Sequence, residues 1–355
     1  MAKRVVLVLG VVVAALAATP ANAIEARRVA GGLDQPVAFT FGPGRQLWYV
    51  EKDSGEIRLI DLPSGGDRLF ATVSGVDGAG ERGMLGIALH PEYPDEPFVY
   101  VYATRTDGGT LRNQILRFED RDGEGGDATV IFTSPASSSP YHNGGRILFG
   151  PDGLLYAIVG DGHTASNAQD RTDNDRGKII RIRPNGDVPG TNPFDDRIWA
   201  FGIRNSFGFA FDPRTGALWE TENGPACNDE INRIRKGRNY GWGPSATCSG
   251  SSPRNTNRDG PRPQQPRAVY VDPIGITGIA FCDGCGLGRR SDGAAFHGAV
   301  NNGRVTRLIF NRRRIGVARR GVVYEHPTGT LSFEVDAQGR VYFSDFDGIY
   351  RLVRG

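Results

Sequence analysis

A turn rich in Gly and Asp, followed at once by a short strand with aromatic residues, recurs along this chain. It reads Gly42-Pro43-Gly44 before Leu47-Trp48-Tyr49-Val50, and Gly150-Pro151-Asp152-Gly153 before Leu155-Tyr156-Ala157-Ile158-Val159. It returns as Asp212-Pro213-Arg214-Thr215-Gly216 before Leu218-Trp219, and as Asp336-Ala337-Gln338-Gly339 before Val341-Tyr342-Phe343. Weaker copies at Pro94-Asp95-Glu96 and Ser291-Asp292-Gly293 fill the two long gaps, giving six units. Further strand-like runs lie between them: Ile57–Ile60, Ile115–Phe118, Ile179–Arg183, Ile231–Ile234, Val305–Phe310 and Ile349–Val353. No long helical period competes. Many short strands at a regular spacing bury their faces best by radial packing, so the pattern predicts an all-β, six-bladed β-propeller. The period argues against a β-sandwich or a β-helix. Glycine, at 50 of 355 residues, is about twice its usual share, as many tight turns require.

The first 23 residues are expected to lie outside the fold. Lys3 and Arg4 precede an apolar run from Val5 to Ala18, and Ala21-Asn22-Ala23 is a small-x-small cleavage site. This is the pattern of a secretory signal peptide cleaved near Ala23, and the run is shorter than the roughly 20 residues of a membrane span. Residues 24–355 then form a single propeller domain in a secreted or extracytoplasmic protein. Without Lys3 and Arg4 the chain holds 40 basic and 40 acidic residues, so net charge predicts no long-range steering of a charged partner. Nearly all the basic residues are arginine, an excess ascribed to genome composition. No continuous basic block suggests nucleic-acid binding.

Export makes disulfides the default for Cys227, Cys248, Cys282 and Cys285. Four cysteines allow three pairings, of which Cys227–Cys248 with Cys282–Cys285 is preferred. The Cys282-x-x-Cys285 spacing also suits zinc or redox chemistry, but no second such pair or nearby His pair accompanies it. The stretch from Gly243 to Arg267, rich in Ser, Pro, Arg and Asn, reads as an exposed loop pinned by Cys248.

Three clusters stand out from the repeat. In Tyr141-His142-Asn143-Gly144-Gly145-Arg146, a His on a Gly-rich loop is placed to act as a general base, since imidazole exchanges protons near neutrality. In Gly202-Ile203-Arg204-Asn205, Arg204 can present a planar donor fork to a negatively charged oxygen. From Glu222 to Asn232, the Gly224-Pro225 turn and the adjacent Asp229 and Glu230 offer hard oxygens of the kind calcium takes. Taken singly, each has a plain structural alternative: a loop His bonded to backbone, a surface Arg, a solvated acidic turn.

Together with Glu81-Arg82-Gly83-Met84-Leu85-Gly86-Ile87-Ala88-Leu89-His90-Pro91, Gly177-Lys178-Ile179-Ile180-Arg181 and Asn239-Tyr240-Gly241-Trp242, the clusters resemble the soluble quinoprotein glucose dehydrogenases, the glucose/sorbosone dehydrogenase family. The resemblance covers most of residues 24–355. It implies pyrroloquinoline quinone (PQQ) over the propeller axis, and an aldose oxidised at its anomeric hydroxyl to a lactone. His142 would be the base, and Arg204 would stabilise charge developing on the quinone oxygen. Glu81 and Asn205 would contact the cofactor. The carbonyls of Gly224 and Pro225 would hold a catalytic calcium ion. Asp229, Glu230 and the Tyr240 carbonyl would hold a second one.

The sequence also departs from the family pattern. Asn301 stands at the place of a PQQ-pairing Lys, and Thr328-Gly329-Thr330-Leu331-Ser332 replaces a segment with two carboxylate-gripping arginines. Tyr141 stands where the pattern has an Asp. Unpaired cofactor carboxylates in a partly buried pocket are costly, so Arg304, with Arg307 as the alternative, is the expected substitute. A propeller that binds a carbohydrate or protein without catalysis is the competing expectation, and a calcium-dependent hydrolase a third. The partners expected are a small sugar and an electron acceptor of unknown kind, with no nucleic acid and no membrane span.

Overall fold

The computed structural model describes residues 23–355, apart from 173 and 251. Six antiparallel sheets follow one another along the chain. The first blade is Ala38–Phe41, Gln46–Val50, Glu56–Asp61 and Gly66–Thr72. The second is Met84–Leu89, Phe98–Asp107, Thr110–Arg121 and Thr129–Pro135, with Glu124–Gly125 appended. The third is Ile147–Phe149, Leu155–Val159, Lys178–Ile182 and Ile198–Phe201, and the fourth Ser206–Phe211, Leu218–Glu222, Asp229–Ile234 and Ala268–Tyr270. The fifth is Ile276–Phe281, Ala295–Ala299, Arg304–Phe310 and Val317–Glu325. The sixth joins Phe333–Val335, Val341–Ser344 and Gly348–Arg354 to the first strand of the chain, Ile24–Gly31. That last pairing, from Ile24 opposite Arg354 to Gly31 opposite Gly348, closes the ring and leaves no long free edge there.

The sequence repeat is the hairpin between the first two strands of each blade. Phe41 pairs with Leu47, Phe149 with Leu155, Phe211 with Leu218 and Val335 with Val341. The two weaker copies fall at the same place, joining Leu89 to Val99 and Phe281 to Ala295. Gly153, Gly216 and Gly339 adopt φ of 72°, 65° and 72° there, which β-branched and bulky residues avoid. The intervening runs are the third strands of the blades.

The core is divided into six clusters, one between each pair of neighbouring blades. Trp48 packs between the first and second, Tyr102 between the second and third, and Tyr156 with Phe209 between the third and fourth. Trp219 fills the next interface, Phe296 and Phe343 the one after, and Tyr49 with Tyr342 the last. Each such side chain contributes about 1.5–3 kcal/mol on full burial, so blade-to-blade packing holds the ring. Among the described residues, no helix is long and apolar enough to cross a membrane.

Both expected disulfides are present, Cys227–Cys248 and Cys282–Cys285, with Cα separations of 5.8 and 5.1 Å. The Gly243–Arg267 segment is not simply an exposed loop. It contains a helical turn, Pro253–Thr256, and buries Thr256 and Asn257 against the fourth blade. The expected signal peptide lies almost wholly outside the described residues.

Candidate active site

The segments that enter the innermost strands converge at one mouth of the central channel. They enclose a cavity of about 500 Å³. Every blade supplies lining residues, among them Glu81, His142, Arg204, Asn205, Gly224, Pro225 and Asp229. The structure thus brings together seven of the residues singled out from sequence, drawn from four separate segments.

His142 is buried, with φ of 61°, and the following Gly144 and Gly145 also have positive φ. A Cβ on Gly144 would lie 2.5 Å from the Ile158 carbonyl oxygen, and one on Gly145 would lie 2.2 Å from Leu85. The two glycines therefore let this loop lie flat on its neighbours. His142 Nδ1 bonds Asp161 Oδ1 at 2.7 Å. The same oxygen accepts the His163 backbone N–H at 2.7 Å, and Trp242 Nε1 donates to Oδ2 at 2.7 Å. A carboxylate so surrounded by donors places the imidazole proton on Nδ1 and leaves Nε2 as the acceptor. Sequence reading missed Asp161. It lies in Gly160-Asp161-Gly162-His163, a turn directly after a blade strand, and that was its one visible signal. Trp242 belonged to a quoted motif but had been given no role.

Glu81 ties the cluster together, accepting from the His142 backbone N–H at 2.7 Å and from Asn205 Nδ2 at 3.1 Å. Arg204 Nη1 donates to the Asn223 carbonyl at 2.9 Å, and the guanidinium lies 5.3 Å from the Trp242 ring centroid. Burial lowers its pKa, opposed by the charges of Asp161, Glu222, Glu81 and Asp229. Two buried polar atoms here, Arg204 Nε and Asn205 Oδ1, lack hydrogen-bond partners. Buried polar groups normally take a partner, so both atoms are available to a polar ligand in the cavity. Behind Arg204, the backbone N–H of the same residue donates to Glu222. Glu222 shares the Asn232 side-chain amide with Glu220 and Glu230, at 3.2, 3.2 and 3.4 Å. Burial pushes Glu220 up to about 8 and Glu230 up to about 7.

Two expectations need correction. Arg304 does not reach the cavity. It pairs with Glu325 at 3.1 Å on the neighbouring strand, half exposed, because the register sets these two residues opposite each other. Arg307 is also absent from the lining. Asn301, at the place of the family Lys, does line the cavity and brings no charge. Lys52, outside every motif, and Arg146, which closes the His142 motif without a role assigned to it, line it as well. Lys52 Nζ donates to Asp53 at 2.7 Å and to the Gly78 carbonyl at 2.5 Å, which uses two of its three N–H bonds. Arg146 donates to the Phe207 and Val37 carbonyls, both at 3.2 Å.

The second correction concerns Asp229 and Glu230 as side-chain ligands of one metal ion. Adjacent strand residues face opposite ways, so the two carboxylates diverge. Asp229 turns to the cavity and accepts the backbone N–H groups of Gly224, Ile274 and Ile276 at 3.0, 2.8 and 3.2 Å. Glu230 is buried and is held by Asn257 at 2.7 Å to each oxygen. The Tyr240 phenol donates to the Arg233 carbonyl at 2.8 Å in the core, whereas the ligand expected from this residue is its main-chain carbonyl. Among the described residues, no group of three or more His, Cys, Asp or Glu side chains is arranged to hold a metal. Gly224 is fixed by space, since a Cβ there would lie 1.9 Å from the Cys227 carbonyl oxygen.

A closed six-bladed ring with a carboxylate-held His beside a half-buried Arg at one channel mouth defines a propeller enzyme site for a small polar ligand. The chain belongs to the glucose/sorbosone dehydrogenase family, whose model matches residues 33–347. It is 32% identical over 285 residues to aldose sugar dehydrogenase YliI of Escherichia coli, covering 75% of each chain. A putative oxidoreductase (glucose dehydrogenase) from Thermus thermophilus superposes with a TM-score of 0.82 at 31% identity, over 93% of this chain and all of that one. The PQQ-bound aldose sugar dehydrogenase of Streptomyces coelicolor superposes with a TM-score of 0.80 at 27% identity, over 95% of this chain and all of that one.

Proposed function

We propose that this chain is an exported, PQQ- and calcium-dependent aldose dehydrogenase that oxidises the anomeric hydroxyl of a sugar to a lactone. The observation that carries this reading is the His142–Asp161–Trp242 chain of hydrogen bonds beside Arg204, which presents a free imidazole Nε2 to the cavity.

His142 takes the proton of the anomeric hydroxyl at Nε2, and Asp161 stabilises the imidazolium that results. PQQ, held by Arg204, Asn205, Lys52 and Arg146, would supply the two-electron acceptor that loss of the anomeric hydride requires. Arg204 offers positive charge already fixed in a dry site, where it is worth more than in water. The unpartnered Arg204 Nε and Asn205 Oδ1 fit a polar, quinone-bearing ligand. Lys52 and Arg146 are the cations suited to its carboxylates, in place of the absent family anchors. They remove the main ground for a non-catalytic propeller. The Gly224 and Pro225 carbonyls, with Asp229 alongside, suit a hard cation such as calcium.

The test is to strip metal from the chain, titrate PQQ with and without calcium, and follow dye reduction over an aldose panel. Calcium-dependent binding with sugar-dependent reduction is expected. If PQQ fails to bind at micromolar concentration with calcium present, the reading is wrong.

A further inference from the structure

Residues 23–355 carry equal numbers of acidic and basic side chains, yet the structure segregates them. From Arg289 to Tyr324 there are nine arginines and one acid, Asp292. The rest of residues 23–355 is correspondingly acidic. This stretch is most of the fifth blade, and it builds a cleft of about 650 Å³ lined by Arg289, Arg290, Arg307, Arg314, Arg319 and Arg320. A second hollow of about 550 Å³ shares Arg289, Arg290 and Arg307, so the two form one groove.

The counter-charges are spent. Asp292 is already bound by Arg214 at 2.8 Å. Arg314 is clamped to Asp212 at 2.7 and 2.8 Å and covers the Phe310 ring at 4.9 Å. Arg320 donates to the Val269 carbonyl and lies 4.0 Å over the Tyr270 ring. Arg307 bonds only Ser291, and burial together with the charge of Arg290 lowers its pKa. Arg289, Arg290 and Arg319 are exposed, with no acidic partner. Holding this many guanidinium groups together with so few acids is costly, and a ligand rich in oxyanions relieves the cost. Apart from Asp292, which Arg214 already holds, the remaining lining is Gly, Ala, Ile and Phe, which offers little to read sugar hydroxyls. The nearby rings are capped by arginine, leaving no open face on which a nucleobase would stack. The groove lies toward the turn end of the blade, beside Gly293 and Ala294, away from the His142 mouth.

We propose that this groove binds a linear polyanion through successive phosphate or sulfate groups, leaving the rest of the ligand unread. It is a second site, independent of any reading of the first. A ligand held there would tether the propeller while the His142 mouth stays open.

The experiment is calorimetric titration of residues 24–355 with tripolyphosphate and, separately, with a sulfated oligosaccharide, at low salt and at about 0.15 M. Binding of either probe at low salt, weakening steeply with salt, is expected, and the stronger probe identifies the source of the oxyanions. The double variant Arg289→Ala/Arg290→Ala should weaken it about tenfold or more, and Arg319→Ala about threefold. A control of equal charge, Arg27→Ala/Arg262→Ala on exposed positions elsewhere, should change it little. The proposal fails if neither probe binds at low salt, or if the control loses as much as the double variant. It also fails if an oligodeoxynucleotide of matched charge binds more tightly than both probes.

Discussion

The two ends of the propeller handle charge in opposite ways. At the His142 mouth, nearly every polar group is held by a neighbour: Asp161 takes three donors and Glu81 bridges two loops. At the arginine groove of the fifth blade, the acids are used up and several guanidinium groups stay exposed without a partner. The difference follows from what each end must do. Proton transfer needs one atom in one tautomer at one place, so the groups around it are fixed in advance. Binding a flexible polyanion needs only density of charge, and partners for the arginines would cancel it.

The largest expected effect tests the fixed end. His142→Ala should lower turnover by about three to four orders of magnitude while calcium affinity stays the same, measured by steady-state kinetics and metal titration. Polyanion binding should not change in that variant, and a parallel loss would mean that the two ends are coupled. Asp161→Asn should cost about a hundredfold or more in kcat and alter the pH profile, because an amide no longer dictates the proton on Nδ1. A flat response with an unchanged profile would reduce Asp161 to a packing role.

Lys52→Met should weaken PQQ binding about tenfold, read by fluorescence titration, with kcat at saturating cofactor largely kept. Unchanged affinity would leave Arg146 as the main cation for the carboxylates. Lys178 tests stability instead. It is fully buried and donates to the carbonyls of Asn167, Ala168 and Arg176 at 2.7, 3.3 and 2.7 Å. Asn167 in turn donates to the Asp161 carbonyl at 2.8 Å. Lys178→Met leaves those carbonyls unpaired and should cost about 1–3 kcal/mol in denaturant unfolding.

The smallest effect lies between the two ends. Burial raises the Glu334 carboxyl to about 7, opposed by the charge of Arg146. A carboxyl raised in the folded state contributes stability that is fully present below its unfolded pKa of about 4.3 and is lost as pH rises through about 7. The melting temperature should therefore fall between about pH 4.5 and 7, and Glu334→Gln should flatten that slope.

The sequence by itself determined the ring and its number of blades. A hairpin turn and a buried aromatic strand are local features, readable in the order they occur, and six copies admit few packings. It also showed His142, Arg204 and Gly224-Pro225, because Gly-rich loops and adjacent hard oxygens are unusual within a blade repeat. Only the tertiary structure decided which distant segments meet. Asp161 is 19 residues from His142 and Trp242 is 81 from Asp161, separations that no local pattern encodes. Lys52 belongs to no motif, and only ring closure puts it on the cavity wall. Arg304 looked well placed until strand register turned it to Glu325. Net charge showed the same limit: composition gives a sum of zero, while the fold decides where the two signs lie.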